Sequence, residues 1–515
     1  MILASLTFAS LTIGASSLST SKASPFFHQD GISSESVCRA ALKASGAKSG
    51  EQSWILTGNC KYREAADSLE IDLDGKSRFR IATRGGLAST VGFDGKSCWE
   101  ASWSGVAHKV DVGSPLYYNF VGWVLSGAWA LKGTPIVMKE PTVDGDRIIV
   151  PLQLPGIAIA AQLTLTKTTM LPERLSFTGD SGKETWIFGG YQRFGSRTFA
   201  TAIQDVLPGQ TDPYTVTDAK QARVREDIFH PEDKGAIDVA FDHSAQPSVQ
   251  FKSIAGYMFV QPKVDGKEAG WFFLDTGAEG MCIDPKFAKD LGAVEVGHDV
   301  TSGVVATLRM PICRTQSFTL GPVTLNAPTF LELDMSPFSK GFGMDIRGIC
   351  GYNLLARCID DIDPATSKLS LYEATDPSLP TGAKWEPMMY SGQVPCVKCG
   401  FESGQMGLFT LDTGSGSSVD FYSPTVARLH MTEGGPTQKI QTGGAGGSAE
   451  SLSKKIASFT LGTHRFEGPT VGLQLTKEGV FSVPYLDGNI GMTFMAHYRL
   501  IFDYPRNRVC LIWIR

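Results

Sequence analysis

Hydrophobic and polar positions alternate along short segments of this chain, which is the pattern of half-buried β-strands. Over residues 250–515, runs rich in Val, Phe, Leu and Thr are interrupted by Gly or Pro about every 8 to 12 residues, as in all-β barrels and sandwiches. Helical periodicity is scarce there, and short helices are predicted only over residues 285–291 and 424–430. The pattern therefore predicts a mainly β fold.

Residues 30–245 follow a different plan. A short helix is predicted near residues 36–45, and alternating strands follow over residues 77–83, 147–152 and 158–166. We therefore expect a separate antiparallel, β-rich N-terminal domain.

Length and charge narrow the class of protein. A chain of 515 residues, at roughly 150 residues per domain, is expected to form about three domains. Lys and Arg number 47 against 52 Asp and Glu, so the net charge of −5 gives no electrostatic reason to expect a nucleic acid partner. No run reaches about 18 uninterrupted apolar residues, so no transmembrane segment is predicted.

Residues 1–24 are predicted to be a signal peptide. An apolar run covers residues 2–13, and the small residues Ser21 and Ala23 have the spacing that a signal peptidase needs. The usual basic start is missing, because the first basic residue is Lys22, and a disordered tail is the alternative. We expect a secreted or periplasmic protein.

The ten cysteines are an even number, which fits an oxidising compartment. Cys396 and Cys399 form the single CxxC motif, and no second pair or nearby His completes a zinc site. A local disulfide or two plain thiols is expected.

One sequence plan occurs twice in the second half of the chain. Both copies carry Asp-Thr-Gly after an apolar run, and Asp275 and Asp412 lie 137 positions apart. Later features recur at offsets of about 140: they are residues 318–321 with 459–462, 348–351 with 488–491, and 362–363 with 502–503. We predict two homologous lobes, over residues 250–375 and 387–515, joined by the polar stretch 376–387.

Two Asp side chains held together can catalyse what one exposed Asp cannot. An exposed Asp has a pKa near 4 and is a poor base. Two carboxyl groups within about 3 Å cannot both ionise cheaply, so they share one proton. The ionised group then takes a proton from water while the protonated group polarises the carbonyl that is cleaved. The duplicated lobes supply one Asp each.

The neighbours of each Asp suit this task. The apolar runs 272–274 and 409–411 read as strands that carry each Asp inside, and the glycines allow the loops to approach closely. The threonine hydroxyls can bond to the opposing loop. The candidate catalytic residues are Asp275 and Asp412, with Thr276, Gly277, Thr413, Gly414 and Ser415 as support of the two loops.

These motifs resemble the bacterial retropepsin-like (Gag-polyprotein-type) aspartyl protease family over residues 250–515. The resemblance extends to Gly351 and Gly491 with the two residues before each, and to residues 491–495 and 502–504, which follow the family pattern GMxFLxxFxxxxDY. Asn489 and the polar run 357–363 depart from that pattern. The resemblance implies a two-lobed endopeptidase with a cleft between the lobes, covered by one or two β-hairpin flaps, without metal or organic cofactor, and monomeric as a pseudo-dimer of lobes.

Two finer expectations concern the cleft. Residues 301–307 and the Gly-rich 442–448 are the candidate flap tips, with ordinary flexible loops as the alternative. Ser415 follows the second loop where Ala278 follows the first, and a hydroxyl that donates to its own carboxylate favours the charged form. We therefore hypothesise that Asp412 ionises more readily and that Asp275 holds the proton.

Part of the N-terminal domain resembles the periplasmic lipoprotein-carrier superfamily. The resemblance rests on residues 92–99, of the form GxDGxxxW, and on residues 171–174 and 186–188. It implies a curved antiparallel sheet that holds a hydrophobic ligand. Trp99, Trp103, Trp123 and Trp129 are expected in the core, with a ligand groove as the alternative.

Two further motifs do not indicate a catalytic or metal site. Residues 179–182, Gly-Asp-Ser-Gly, read as a hairpin turn and not as a serine nucleophile, because His108 has no partner signature. Residues 360–363 are expected to form a solvated turn and not a calcium loop, because the spaced ligands are missing. The function that the sequence favours is aspartic endopeptidase acting on a protein or peptide. The alternative is a lipid or lipoprotein binding protein whose protease-like half is a docking module.

Overall fold

A computed structural model of the chain describes residues 32–179, 182–231, 238–303, 307–375, 384–402, 404–444 and 446–514. The described chain is mainly β, which confirms the predicted fold class. The predicted signal peptide (1–24) lies outside the described residues, and so do Asp180, Ser181 and most of the predicted linker, 376–383.

The N-terminal part is built on one sheet of fourteen strands and a separate hairpin. Its strands are β1 (Trp54–Tyr62), β2 (Ala65–Leu73), β3 (Phe79–Gly85), β4 (Ser89–Phe93), β5 (Cys98–Ala101), β6 (Ala107–Val110), β7 (Val137–Met138), β8 (Thr142–Asp144), β9 (Arg147–Gln153), β10 (Ala160–Thr166), β11 (Pro172–Gly179), β12 (Gly182–Gly189), β13 (Gln192–Phe194), β14 (Arg197–Phe199), β15 (Ala202–Leu207) and β16 (Gln210–Gln221).

The region of the first predicted lobe contains β17 (Val239–Phe241), β18 (Ser248–Gln250), β19 (Lys252–Ile254), β20 (Tyr257–Val260), β21 (Lys263–Val264), β22 (Lys267–Glu268), β23 (Trp271–Leu274), β24 (Cys282–Ile283), β25 (Val294–Ser302), β26 (Thr307–Arg314), β27 (Ser317–Leu320), β28 (Val323–Asn326), β29 (Thr329–Glu332), β30 (Ile346–Cys350), β31 (Ile359–Asp363) and β32 (Lys368–Tyr372).

The region of the second contains β33 (Trp385–Pro387), β34 (Met389–Ser391), β35 (Val394–Phe401), β36 (Gln405–Leu411), β37 (Val419–Phe421), β38 (Thr437–Gly444), β39 (Gly447–Lys455), β40 (Ser458–Leu461), β41 (His464–Glu467), β42 (Thr470–Gln474), β43 (Gly488–Ile490), β44 (Tyr498–Asp503) and β45 (Arg508–Trp513).

The helices are short. The α-helices are α1 (Ser34–Ser45), α2 (Tyr118–Ser126), α3 (Pro285–Leu291), α4 (Ser336–Phe342), α5 (Tyr352–Leu355), α6 (Ser423–Arg428) and α7 (Met492–Met495), and 3₁₀ turns cover Ser114–Tyr117, Ala128–Ala130, Glu226–Phe229, Val480–Ser482 and Tyr504–Arg506. The helices predicted near residues 36–45, 285–291 and 424–430 are confirmed as α1, α3 and α6. Ser33 and Asp284 cap the first two, and Pro lies in the first turn of α3 and α6.

The long N-terminal sheet has the strand order β6-β5-β4-β3-β2-β1-β16-β15-β12-β11-β10-β9-β7, with β8 paired to β9. All its pairings are antiparallel, so neighbouring side chains alternate between its two faces. Helix α2 packs against β3, β4 and β11. Trp99, Trp123 and Trp129 are buried, which confirms the core interpretation for those three.

The first and second lobe regions share one large hydrophobic core, and a six-stranded sheet crosses between them in the order β18-β32-β31-β44-β45-β33. Each lobe region also holds a parallel strand pair, β23 with β30 and β36 with β43. Strand β17 extends the first of these regions back to Val239 by pairing with β28.

Residues 360–363 do not form the expected solvated turn. They belong to β31, at the centre of the shared sheet, where Asp360 is fully buried and Asp361 is nearly so. Asp361 forms an ion pair with Arg499, at 2.5 Å between its Oδ2 and the Arg Nη2. The strand tolerates Asp361 because a partner lies across the sheet, which the local charge pattern does not reveal.

All ten cysteines fall within the described residues and all are free thiols. Cys396 and Cys399 both lie on β35, and residues three apart on a strand face opposite sides of it. Of the two alternatives, a local disulfide or two plain thiols, the structure therefore shows two plain thiols. Within the described ranges, no helix is long and apolar enough to span a membrane. No group of His, Cys, Asp and Glu suited to a metal ion occurs in that same part of the chain.

Candidate active site

Asp275 and Asp412 each begin the loop that follows a buried strand. Asp275 comes directly after β23, and its N–H donates to the Cys350 carbonyl at 3.0 Å. Asp412 comes after β36, and its N–H donates to the Ile490 carbonyl, also at 3.0 Å. Each Asp is thus fixed by the end of the parallel partner strand in its own lobe region.

The two threonines bind the loops to each other. The Thr276 hydroxyl donates to the Leu411 carbonyl at 2.6 Å, and the Thr413 hydroxyl donates to the Leu274 carbonyl at 2.8 Å. Each hydroxyl also accepts from the backbone N–H of the opposite threonine at 3.0 Å. Four hydrogen bonds, all buried, therefore hold the two Asp residues in a fixed relation.

Both loop glycines lie against the carboxyl group of the other lobe region. A Cβ on Gly277 would lie 2.6 Å from Asp412 Oδ1, and one on Gly414 would meet the Asp275 carboxyl more closely still. The glycine N–H groups donate to the Asp of their own loop, at 2.8 Å to Asp275 Oδ1 and 2.9 Å to Asp412 Oδ1. The approach of the two carboxyl groups thus requires glycine at both positions.

Burial makes both carboxyl groups hard to ionise. It raises the pKa of Asp275, and backbone N–H donors, that of Gly277 first among them, act in the opposite direction. Burial together with the nearby Asp275 charge raises the pKa of Asp412 well above its ordinary value. The two carboxyl groups interact directly and each changes the pKa of the other, so the pair holds one proton in common over a range of pH.

The structure contradicts the expected role of Ser415. Its hydroxyl bonds to the Ser417 hydroxyl at 2.9 Å and not to Asp412. Asp412 receives its side-chain hydrogen bond from Asn489, at 3.2 Å to Oδ2. Burial raises the pKa of both carboxyl groups, so the assignment of the shared proton to one of them stays a prediction.

Asn489 departs from the family pattern in the sequence, and its contacts explain this departure. The Thr410 hydroxyl donates to the Asn489 side-chain carbonyl, which orients the amide towards Asp412. The equivalent position of the first lobe region is Ile349, which has no polar group to offer. The site is therefore asymmetric behind its second Asp.

Two hairpins border the site. Strands β25 and β26 form one, whose described end is the pair Ser302 and Thr307, and β38 and β39 form the other, ending at Gly444 and Gly447. Residues 304–306 and 445 of the predicted tips lie outside the described residues. The described residues on either side of both predicted flap tips thus belong to hairpins, and both hairpins line the cavity that holds the two Asp. Their action as flaps stays a prediction.

That cavity has a volume of about 750 Å³ and is lined by both lobe regions and by the N-terminal part. Trp103, one of the four tryptophans singled out in the sequence, lines it, whereas the other three lie in the core. Sequence reasoning did not place the N-terminal part at the site, because contacts between segments far apart in the chain leave no local pattern.

Comparison with known proteins gives one family. The aspartyl protease family model matches residues 260–354, a range that includes Asp275 and ends before Asp412. The similarity supports an aspartyl-protease-like function at the level of class.

Other comparisons add little. Curated proteins give no match. Among solved structures, a LolA superfamily protein from Nitrosomonas europaea is similar at 11% identity over 39% of this chain and 98% of that chain, with a TM-score of 0.27. A TM-score this low supports no assignment of fold.

Proposed function

We propose that this chain is an aspartic endopeptidase that hydrolyses peptide bonds with Asp275 and Asp412. The observation that carries the proposal is the reciprocal contact of the two Asp-Thr-Gly loops, in which each Thr bonds to the other loop and each Gly touches the other carboxyl. A pair of partly buried carboxyl groups that share one proton and line a cavity is the arrangement that this reaction needs.

In the proposed reaction the ionised member of the Asp275–Asp412 pair takes a proton from water as the water oxygen bonds to the peptide carbonyl carbon. The protonated member of the pair donates a hydrogen bond to the carbonyl oxygen, on which negative charge develops. A proton then passes from the pair to the amide nitrogen and the C–N bond breaks, which releases a carboxyl group and an amine. The mechanism uses no metal or organic cofactor.

The test is cleavage of a peptide library from pH 3 to 8 by the wild type, Asp275→Asn and Asp412→Asn. We expect the wild type to cleave and each variant to lose at least about 100-fold in kcat/KM, because neither pair can then supply both an acid and a base. Asp144→Asn, at an exposed position of β8, is the matched control and is expected to retain full activity.

A wild type that never cleaves, or variants that cleave as well as the wild type, would overturn the proposal. The alternative, a lipid or lipoprotein binding protein with a non-catalytic docking half, predicts an inactive wild type and a hydrophobic ligand in the organic extract of the purified protein. Mass spectrometry of that extract separates the two functions.

We also propose a secreted or periplasmic location and a monomer in which the two lobes form a pseudo-dimer. The apolar run 2–13 with Ser21 and Ala23 supports export. Cell fractionation with N-terminal sequencing is expected to give an exported chain that begins near residue 25. A full-length chain in the cytoplasm would contradict the proposed location.

A further inference from the structure

The N-terminal part forms one wall of the cavity that holds the two Asp. Residues of its sheet and of the turn before α2 line the same cavity as Asp275 and Asp412, among them Ile81, Val91 and Trp186. This wall, which we call the N-terminal wall, therefore faces the position where a substrate would bind.

The N-terminal wall is attached to the first hairpin through the turn between β1 and β2. Arg63 Nε lies 2.9 Å from Asp299 Oδ1 on β25, and both side chains are almost completely buried. Arg63 and Glu64 both have positive φ, which favours glycine, so charged residues in this turn carry a conformational cost. Their ion pairs with the hairpin, including Glu64 with Arg309, give a reason for their presence.

Further contacts hold the same hairpin. The Arg314 side chain donates to the Gly86 carbonyl at 2.7 Å, and the Trp103 indole N–H points at Asp299 Oδ2 at 3.4 Å. The Trp103 ring also packs against Gly280, just after the first Asp loop. Trp103 thus lies between the hairpin and the loop that carries Asp275.

The N-terminal part also contacts the second lobe region. The N–H groups of Asp111 and Val112 donate to the Tyr390 carbonyl at 3.2 and 3.0 Å, and His108 Nε2 lies 2.8 Å from the Gly392 carbonyl oxygen. Because it is bonded to both regions, the N-terminal part cannot move away from the cavity without breaking many contacts. We therefore treat it as a fixed part of the site.

Aromatic and aliphatic side chains form the larger share of the N-terminal wall. Trp186 stacks on Tyr214 with ring centroids 5.5 Å apart, Tyr118 meets Trp186 edge-on, and Val91 and Ile81 line the same cavity. The polar residues of the wall include the acids Glu100 and Glu184. Among the described residues that line the cavity, Arg63 has the only basic side chain, and it forms an ion pair with Asp299. An acidic side chain would find no free cation here, whereas a large apolar one would be desolvated.

We propose that the N-terminal wall forms a substrate subsite and that the substrates are short, unfolded peptides with an aromatic or large aliphatic side chain against it. This inference rests on the proposed peptidase function. The cavity volume supports it, because about 750 Å³ is typical of sites that enclose a small ligand and not of a surface that accepts a folded protein.

The test fills the subsite from the N-terminal side. Val91→Trp places a large ring on β4, and Val143→Trp places the same ring at an exposed position of β8 in the same part of the protein. Two peptides are compared that differ only in Phe or Ala at the position where the wild-type library profile prefers an apolar residue. We expect Val91→Trp to lower kcat/KM for the Phe peptide about tenfold relative to the Ala peptide, and Val143→Trp to leave that ratio within about twofold.

A change in the ratio of the two peptides reports a subsite, whereas a damaged fold would lower both rates together. The proposal would be wrong if Val91→Trp left the ratio unchanged, or if the wild type cut a folded protein as fast as its unfolded form. Because the comparison is made on active enzyme whose cleavage depends on Asp275, these outcomes are distinct from failure of the peptidase proposal itself.

Discussion

The hydroxyls of Thr276 and Thr413 show how much one side chain decides at this site. Each donates to a carbonyl and accepts from an N–H of the opposite loop, so a residue without the hydroxyl would lose both bonds and leave buried backbone groups unpaired. Gly277 and Gly414 are constrained in a similar way, because an added methyl group at either position would overlap the carboxyl group of the Asp in the other loop. The Ser415 hydroxyl instead bonds to the Ser417 hydroxyl.

Asp360 and Asp361 are neighbours on β31 with opposite environments, which gives a matched test of stability. Asp360 is fully buried and its carboxyl oxygens have no hydrogen-bond partner among the described residues, and burial raises its pKa well above the ordinary value. An acid whose pKa is raised by folding stabilises the protein below its unfolded pKa, near 4, and this contribution is lost as pH rises through the folded pKa.

We therefore expect Asp360→Asn to raise the free energy of unfolding at pH 7.5 by about 1 to 3 kcal/mol, with little gain at pH 4. Asp361→Asn is the contrasting variant, because it removes the ion pair with Arg499 and is expected to cost about 1 kcal/mol at pH 7.5. Urea unfolding of both variants at the two pH values checks this. A loss of stability in Asp360→Asn at pH 7.5 would contradict it.

At the scale of elements, the two hairpins that border the cavity differ in support. The β25–β26 hairpin is held by Arg63 and by the Arg314 contact with Gly86. The β38–β39 hairpin exposes most residues of β38, and among the described strands it pairs only with β42 beyond its own two. Hydrogen exchange is fastest where few contacts have to open.

We expect backbone hydrogen exchange, measured by mass spectrometry, to be faster in residues 437–444 and 447–455 than in residues 294–303 and 307–314. Arg63→Ala is expected to speed exchange in the first hairpin and leave the second unchanged, because the ion pair with Asp299 is then lost. Equal protection of the two hairpins in the wild type would show that the contacts with the N-terminal part do not restrain β25 and β26.

The sequence predicts elements well where local patterns decide them. The ends of α3 follow from Asp284, Pro285 and Gly292, and both Asp-Thr-Gly loops are visible as a repeat. Helix α2 was not predicted, because every residue from Asn119 to Ser126 is buried and a helix that is buried all round shows no amphipathic period. The pairing of Asp361 with Arg499 has no local signal.

At the scale of the whole molecule, the N-terminal part and the peptidase-like half share one interface and one cavity. Arg357 illustrates this junction, because its buried guanidinium donates to the Ser104 and Asn353 carbonyls and to Asp238. Three segments distant in the sequence meet at this single side chain. A pairing of this kind is set by the tertiary fold alone, which is why the sequence predicted separate domains and not their common site.

The buried His108 and its partly buried partner Glu100 make this interface sensitive to pH. Glu100 Oε1 lies 3.4 Å from His108 Nε2, which also contacts the Gly392 carbonyl of the other half. Burial raises the pKa of Glu100 to about 7 and lowers the pKa of His108 to about 4. Both groups are therefore neutral when folded near pH 6.

The two groups act on stability in opposite directions. The contribution of Glu100 is full below its unfolded pKa, near 4.3, and is lost as pH rises through about 7. The contribution of His108 is full above about 6.5 and is lost as pH falls towards 4. Above pH 6.5 the effect of His108 is constant, so the pH dependence that this pair still contributes belongs to Glu100.

We expect Glu100→Gln to remove that dependence, because an amide cannot ionise. Between pH 6 and 8 the unfolding midpoint of the wild type should fall relative to that of Glu100→Gln, and the control Glu140→Gln, at an exposed position, should follow the wild type. Thermal unfolding at pH 6, 7 and 8 measures the difference. If the two curves ran parallel, Glu100 would already be charged in the folded protein, and the interface would have to be holding that charge through a partner other than neutral His108.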